Sequence, residues 1–143
     1  MIAVDTNILV YAHRKESPFH DRARNVMIGL AEGRSPWGIP WTCLHEFLGV
    51  VTHPRIFVPA TPLSVAIEQV DIWIASPSLS LFGENDGHWD ALKACVAAAK
   101  VTGPMIHDAR IAAICAAHGV RELWSADRDF SRFRGLAVRN PLV

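Results

Sequence analysis

The sequence has few cysteines and no long hydrophobic run, and both absences exclude classes of protein. Its three cysteines, Cys43, Cys95 and Cys115, are scattered and form no CxxC pair. Neither a disulfide framework nor a cysteine zinc site is therefore indicated, and a reducing cytoplasm is the expected location. No apolar run reaches the roughly 18 residues that a membrane-spanning helix needs, so no membrane association is expected. Asp5 also interrupts the apolar start, which argues against a signal peptide.

Net charge is absent as well, since 14 Lys and Arg residues balance 14 Asp and Glu residues. Bulk charge therefore gives no sign of nucleic-acid or membrane binding, and any such binding must come from local clusters. The basic residues are mostly arginine, whose planar guanidinium suits phosphate contacts. Half of the 143 residues are hydrophobic, which is enough for a sizeable core. We expect one domain over residues 1–143.

Short apolar segments alternate with segments of helical periodicity along the whole chain. The pattern predicts strands at residues 1–5, 37–40, 79–82, 122–125 and 136–138. It predicts helices at residues 6–14, 17–31, 42–52, 61–75, 86–101 and 107–118. Ser17, followed by Pro18, and Thr42 are the expected N-caps of the second and third helices. This alternation favours an α/β fold with a parallel sheet covered on both faces.

Four separated stretches place an acidic residue at a strand end or near a helix start. Asp5 follows the first strand, and Asp127 and Asp129 follow the strand near residue 124. Asp108 lies at the start of one predicted helix and Glu46 in the first turns of another. Ligands of an open parallel sheet bind beyond the carboxyl ends of its strands, so these acids can converge there.

Each acid also has an ordinary structural explanation. Asp5 and Asp108 could be N-caps, each stabilising its helix by about 0.5 to 2 kcal/mol, and the aspartates of the "ADRD" segment could be turn residues. Glu46 fits such an explanation less well, because a capping box begun by Thr42 would need Glu at the position of His45.

Taken together, several acids at one sheet edge would raise one another's pKa unless a cation neutralised them. A cluster of oxygen ligands suits a hard ion, Mg²⁺ or Mn²⁺, better than zinc. Such an ion can bind a phosphate oxygen and lower the pKa of a bound water. The expected chemistry is therefore hydrolysis of a phosphodiester.

Five motifs occur in order between Asp5 and Pro141: VDTNILVYA, LHEFLGVV, HDARIAAICAAHGV, LWSADRDFSRF and GLAVRNPL. In this order they resemble PIN-domain ribonucleases, and more narrowly the VapC toxins of bacterial VapBC toxin–antitoxin pairs. The segment from Ile56 to Asp90 matches nothing specific. The resemblance implies a three-layer α/β/α sandwich with a central parallel sheet of about five strands, and a Mg²⁺- or Mn²⁺-dependent endoribonuclease.

The acidic quartet of that family falls on Asp5, Glu46, Asp108 and Asp127 in this sequence. Asp129 would supplement or replace Asp127, because "ADRD" offers two acids. By the same resemblance, Asp5, Asp108 and Asp127 are the expected metal ligands. Glu46 would orient or deprotonate the attacking water.

The resemblance also assigns supporting residues and partners. Thr6, Asn7 and Ser125 match polar positions that hold carboxylates or metal-bound water. The expected partners are an RNA substrate, a second copy of the chain in a homodimer, and a VapB antitoxin. The antitoxin would lay a helix in an apolar groove, for which residues 17–33 and 42–51 are candidates.

Positive charge near the acids would be needed to hold RNA. The expected phosphate contacts are Arg14, Lys15, Arg110, Arg128 and Arg132, with ordinary surface ion pairs as the alternative. The candidates for stacking on an unpaired base are Trp37, Trp41 and Trp89, with a place in the core as the alternative.

Other functions fit the sequence less well. An HExxH zinc site begun by His45 and Glu46 would need a second histidine where Gly49 stands. An aspartyl-phosphate enzyme using Asp5 would need an aspartate in place of Asn7. A PIN-fold RNA-processing nuclease outside a toxin–antitoxin pair, and a non-catalytic RNA-binding module, remain alternatives.

Overall fold

A five-stranded parallel sheet forms the centre of the computed structural model, which describes residues 1–143. The strands are β1 (Ile2–Val4), β2 (Trp37–Pro40), β3 (Leu79–Phe82), β4 (Glu122–Trp124) and β5 (Ala137–Arg139). The helices are α1 (Thr6–His13), α2 (His20–Glu32), α3 (Trp41–Val51), α4 (Leu63–Ile74), α5 (His88–Ala99) and α6 (Met105–Ala117). A 3₁₀ helix follows at Arg128–Arg132. None of these helices combines the length and apolarity needed to cross a membrane.

The strands lie in the order β3-β2-β1-β4-β5, and every neighbouring pair is parallel. Ile2 of the central strand is paired with Trp37 on one side and Glu122 on the other. Helices α1 to α4 pack on one another, and α5 packs on α6. The predicted α/β/α sandwich with a parallel sheet is thereby confirmed, and all five strands end at the same edge.

The core explains why these segments form buried strands. Ala3, Val4, Ile39 and Leu123 are fully buried, as expected for a sheet covered on both faces. Trp37 is fully buried as well, and its indole Nε1 donates to Ser76 Oγ at 3.3 Å. This residue therefore belongs to the core and is unavailable for stacking on a base.

The predicted N-cap of the second helix is wrong. The helix begins at His20, because Ser17 makes a turn of its own before it. Ser17 Oγ accepts a hydrogen bond from Phe19 N at 3.1 Å, and Ser17 O accepts one from His20 N at 3.1 Å. The Ser17 hydroxyl therefore caps the turn that precedes α2 and not α2 itself.

The starts of α3 and α6 also differ from the prediction. Strand β2 runs directly into α3, so Pro40 is the N-cap and Thr42 is the second helical residue. Helix α6 begins at Met105, since Gly103 takes a left-handed turn with φ of 61° and Pro104 follows as N-cap. Asp108 therefore lies inside the first turn of its helix and is free of a capping role.

Candidate active site

Asp5 lies where β1 ends and α1 begins, at the centre of the sheet edge. It is the N-cap of α1, with Oδ1 accepting from Thr6 N at 2.8 Å. Its other oxygen, Oδ2, accepts from Ser125 Oγ at 2.7 Å and from Asn7 Nδ2 at 3.2 Å. Asp5 therefore caps a helix and also belongs to a buried polar network.

Burial sets the electrostatics of Asp5. The residue is 5% exposed, and this burial raises its pKa from 3.8 to about 6. The hydrogen bonds from Ser125 and Thr6 act in the opposite direction, and the charges of Glu46 and Asp127 raise the pKa further. A cation beside Asp5 would favour its ionised form.

Asn7 and Ser125 connect the end of β4 to the start of α1. Ser125 Oγ accepts from Asn7 Nδ2 at 3.1 Å and from Asp127 N at 3.0 Å. Asn7 Oδ1 in turn accepts from Ala126 N at 3.1 Å. The two side chains hold Asp5 and Asp127 in fixed relative positions, although they come from opposite ends of the chain.

Three aspartates form the most compact group of acids. One carboxylate oxygen from each of Asp108, Asp127 and Asp129 lies within 4.8 Å of the others. Asp127 begins the 3₁₀ helix, and its Oδ1 accepts from Asp129 N at 2.9 Å. The pKa of Asp108 is raised to about 6, first by burial and then by the charges of Asp127, Asp5 and the other acids.

Glu46 approaches the group from α3. Its side chain is exposed, and Oε2 accepts from Thr6 Oγ1 at 3.2 Å. Glu46 and Asp108 line two adjoining concavities of about 250 and 650 Å³. The smaller also contains Asp5 and Asp127, and the larger contains Asp129. The structure thus brings all five predicted acids to one depression.

Cys43 is a member of this site that the sequence analysis did not identify. It is fully buried, and its thiol donates to Asp5 Oδ1 at 3.7 Å. Burial and the charge of Asp5 raise the pKa of this thiol well above its usual value, so it stays protonated. A signal existed in the spacing: Cys43 precedes Glu46 by three residues, which places both on one face of a helix.

The donor set fits a hard divalent cation. The cluster of Asp108, Asp127 and Asp129 offers only carboxylate oxygens, and the neighbouring Cys43 thiol is protonated, so the donors that the cluster presents are hard ones. Burial raises the pKa of both Asp5 and Asp108, and the charges of the neighbouring acids raise it further, so a cation bound there would favour the ionised forms. Mg²⁺ and Mn²⁺ prefer oxygen ligands of this kind.

The predicted basic residues divide into two groups. Arg110 lines the larger concavity, although its guanidinium pairs with Glu84, and Arg128 is exposed between Asp127 and Asp129.

The other three line neither of the two acidic concavities. Arg14 and Lys15 follow the far end of α1, about 12 Å along the helix from Asp5. Arg14 pairs with Glu16, donates to Thr61 Oγ1 at 3.1 Å and covers the Phe57 ring at 4.4 Å. Arg132 borders an apolar pocket between α5 and α6.

Comparisons with known proteins identify the family of this chain. The PIN domain family matches residues 2–136. Ribonuclease VapC43 of Mycobacterium tuberculosis is 37% identical over 142 residues, covering 99% of this chain and 96% of that protein. Ribonuclease VapC48 of the same species is 31% identical over 137 residues, covering 96% of this chain and 94% of that protein.

Solved structures share the fold. VapBC2 from Rickettsia felis, bound to a DNA fragment from its promoter, has a TM-score of 0.71 at 21% identity and covers 98% of both chains. FitAcB from Neisseria gonorrhoeae has a TM-score of 0.69 at 17% identity, covering 99% of this chain and 98% of that one. With a family match over nearly its whole length and curated relatives that are VapC ribonucleases, this chain belongs to the PIN-domain family.

Proposed function

We propose that this protein is a Mg²⁺-dependent endoribonuclease and the toxin of a type II toxin–antitoxin pair. The observation that carries the proposal is the convergence of the five acids on one depression at the sheet edge. The names of the curated relatives support ribonuclease as the activity. Its action would take place in the cytoplasm, where the RNA is.

The metal site that we propose uses Asp5, Asp108 and Asp127, with Asp129 as a fourth oxygen donor. When bound there, Mg²⁺ or Mn²⁺ would polarise a phosphate oxygen and lower the pKa of a water. Asp127 Oδ1 already accepts from Asp129 N, which leaves its Oδ2 free as a ligand. The hydrogen bonds from Ser125, Asn7 and Thr6 keep the Asp5 carboxylate in one orientation.

Glu46 is the residue that we propose as the proton acceptor. The hydroxyl of Thr6 holds its Oε2 at 3.2 Å, which orients the carboxylate toward the depression that it shares with Asp108. The second oxygen is then available to orient the attacking water and accept its proton. Arg128 and Arg110 would position the phosphates on either side of the cut.

The antitoxin site that we propose differs in one wall from the sequence-based expectation. An apolar groove of about 330 Å³ lies between α1, α2 and α4, with Met27, Ile28 and Trp73 among its lining residues. Helix α2 was expected to line such a groove, but α4 rather than α3 forms the opposite wall. Similar solved structures are VapBC complexes, which supports an antitoxin segment as the occupant.

We also propose that two copies of the chain associate. The segment from residue 56 to 74 exposes many large apolar side chains, among them Val58, Leu63, Val65 and Ile67. A monomer rarely leaves so many apolar side chains in one short segment exposed to water. Light scattering on the purified protein would give twice the chain mass, and a monomer mass at all concentrations would contradict this part of the proposal.

Cleavage of RNA by the purified protein tests the main proposal. We expect cellular RNA to be cut at defined positions in Mg²⁺, and cutting to stop in EDTA. Asp5→Asn and Asp108→Asn should each lower the rate more than a hundredfold, while Asp21→Asn, at the exposed start of α2, should not. Equal activity of all three variants would show that the cluster does not carry the reaction.

Growth of a bacterial host separates a toxin from a processing nuclease. Induced expression of the parent should arrest growth, and Asp108→Asn should not. Co-expression of the antitoxin encoded next to the gene should restore growth. If the parent cuts RNA in the test tube but leaves growth unaffected, the toxin assignment fails while the nuclease assignment stands.

A further inference from the structure

An exposed tryptophan lies beside the acidic depression. Trp41 is the first residue of α3 and directly follows the carboxyl end of β2, so it stands at the same sheet edge as Asp5. It is 42% exposed, whereas Trp37 and Trp73 are buried in the core. Its indole lies against the backbone of Gly83, where an added Cβ would be 3.7 Å from Trp41 Cδ1. One edge of the ring is thus supported while much of the residue meets solvent.

His45 connects Trp41 to the acids. The two rings have centroids 6.4 Å apart and planes 33° apart, as expected for side chains one helical turn apart. His45 also lines the larger concavity together with Glu46 and Asp108. His45 therefore has the carboxylates of the concavity on one side and the Trp41 indole on the other. Trp41 lies about 7.5 Å along the helix axis from Glu46.

Because carboxylates dominate the depression, an uncharged contact with RNA would add affinity there. Arg14 and Arg132 line other pockets, and the guanidinium of Arg110 is paired with Glu84, which leaves Arg128 as the exposed arginine among the acids. The carboxylates themselves repel the phosphates of RNA. Stacking of a base on an aromatic ring supplies affinity without opposing charge, and it is available only to bases that are unpaired.

We propose that Trp41 and His45 form a stacking subsite for one unpaired nucleobase next to the scissile phosphate. The inference rests on the proposed ribonuclease function and adds the two side chains that would hold a base beside the cut. Stacking tolerates any base, so the subsite selects for unpaired structure and adds little preference for sequence.

The matched control is Trp89, the second residue of α5. It is even more exposed, at 66%, and the Lys93 ammonium lies 5.9 Å from its ring centroid. No residue of α5 lines the concavity that contains His45 and Glu46, whereas the Trp41 ring lies beside the ring of His45. Trp89→Ala therefore removes an exposed tryptophan ring and leaves the proposed subsite intact.

Steady-state kinetics on a synthetic single-stranded RNA carrying the mapped cut site tests the subsite. We expect Trp41→Ala to raise KM about tenfold with little change in kcat, Trp41→Phe to retain most of the affinity, and His45→Ala to fall between them. Trp89→Ala should match the parent. Unchanged KM in Trp41→Ala, or an equal loss in Trp89→Ala, would overturn the proposal. Circular dichroism would verify that each variant is folded.

Abasic nucleotides locate the base and separate the two proposals. One abasic position beside the cut should lower kcat/KM of the parent about tenfold but have little further effect on Trp41→Ala. If the abasic nucleotide and Trp41→Ala lowered kcat/KM independently at every RNA position, so that their effects multiplied, stacking on Trp41 would be contradicted. If the parent cuts the RNA and these effects are missing, the subsite fails and the ribonuclease function stands. If the parent cuts no RNA, both fail.

Discussion

The hydroxyl of Ser125 donates a hydrogen bond to Oδ2 of Asp5 at 2.7 Å, joining residues 120 positions apart in the chain. This contact forms only when β4 is paired with β1 in the parallel sheet. It also favours the ionised form of a carboxylate that burial would otherwise keep protonated. Pairing of β4 with β1 therefore also positions the hydroxyl that orients the Asp5 carboxylate.

Removal of this hydroxyl should affect both stability and activity. Ser125→Ala takes a donor from the buried Asp5 and an acceptor from Asn7, at a cost of about 1 to 3 kcal/mol in the free energy of unfolding. The pKa of Asp5 should rise, so the acid side of the pH–rate profile should move to higher pH. Urea denaturation and cleavage rates between pH 5 and 8 measure the two effects.

The control for that variant is Ser131→Ala, since Ser131 is exposed in the 3₁₀ helix. It should match the parent in both measurements. A Ser125→Ala protein with the parent's stability and pH profile would show that the hydroxyl has no part in holding Asp5.

The metal-free protein should lose stability as pH rises from about 4 to 6. The folded-state pKa of Asp5, about 6, lies above its ordinary value of 3.8, so the folded state binds the proton more tightly. Stability from this source is complete at low pH and is lost as Asp5 ionises, by about 3 kcal/mol above pH 6. Asp108 should act in the same direction, but less, because it is only partly buried.

Urea denaturation in EDTA from pH 4 to 8 measures this loss. The difference between the parent and Asp5→Asn isolates the contribution of Asp5, because the other carboxylates are common to both proteins. The parent should lose stability relative to the variant as pH rises from 4 to 7. A difference that does not change with pH would contradict the raised pKa.

Divalent metal should stabilise the folded protein at neutral pH. Binding to the folded state alone adds RT ln(1 + [M]/Kd), about 2.7 kcal/mol when the metal is at a hundred times its Kd. Thermal denaturation with and without Mn²⁺ should show a rise in Tm at pH 7.5 that shrinks at pH 5, where Asp5 and Asp108 are protonated. An equal rise in Asp108→Asn would place the metal elsewhere.

The rise in Tm with Mn²⁺ also distinguishes the contribution of Asp127 to metal binding from that of Asp129. Asp127 also begins the 3₁₀ helix, so Asp127→Asn keeps an oxygen acceptor for Asp129 N while removing the charge. We expect Asp127→Asn to abolish most of the Mn²⁺ effect and Asp129→Asn to reduce it in part, because Asp129 is the more exposed. The reverse ranking would make Asp129 the main ligand.

Removal of the Arg14 side chain should lower stability, whereas removal of the Arg128 side chain should weaken RNA binding. Arg14→Ala breaks contacts with Glu16, Thr61 and Phe57, so it should lower the free energy of unfolding by about 1 to 2 kcal/mol and leave KM for RNA unchanged. Arg128→Ala should raise KM severalfold at parent stability and lower the slope of log K against log salt by about one. If only Arg14→Ala raised KM, the phosphate contact would be Arg14 and not Arg128.

The convergence of the acids could be predicted because parallel strands end at a common edge. Asp5, Asp127 and the start of α3 each follow a strand of the same sheet, and this follows from the alternation of short apolar segments with helices. The fold, its order of elements and the family are confirmed on that basis. The roles of the single acids stay predictions.

Helix starts were harder to predict, because backbone geometry overrides side-chain signals. Phe19 and Pro40 are the N-caps of α2 and α3 without any capping side chain, although Ser17 and Thr42 are better suited by sequence. Arg14 was placed near the acids by sequence proximity, although the length of α1 carries it to the opposite end. Cys43 was missed because its spacing from Glu46 indicates a shared helix face but not that its thiol donates to Asp5.

The anomalous signal of Mn²⁺ in crystals soaked at neutral pH tests the central claim most directly. We predict a peak bonded to oxygens of Asp5, Asp108 and Asp127, at about 2.0 to 2.2 Å as expected for a small hard cation. Its absence from the Asp108→Asn protein should accompany loss of RNA cleavage. A parent that cuts RNA in the same Mn²⁺ buffer but shows no peak among these carboxylates would contradict the account.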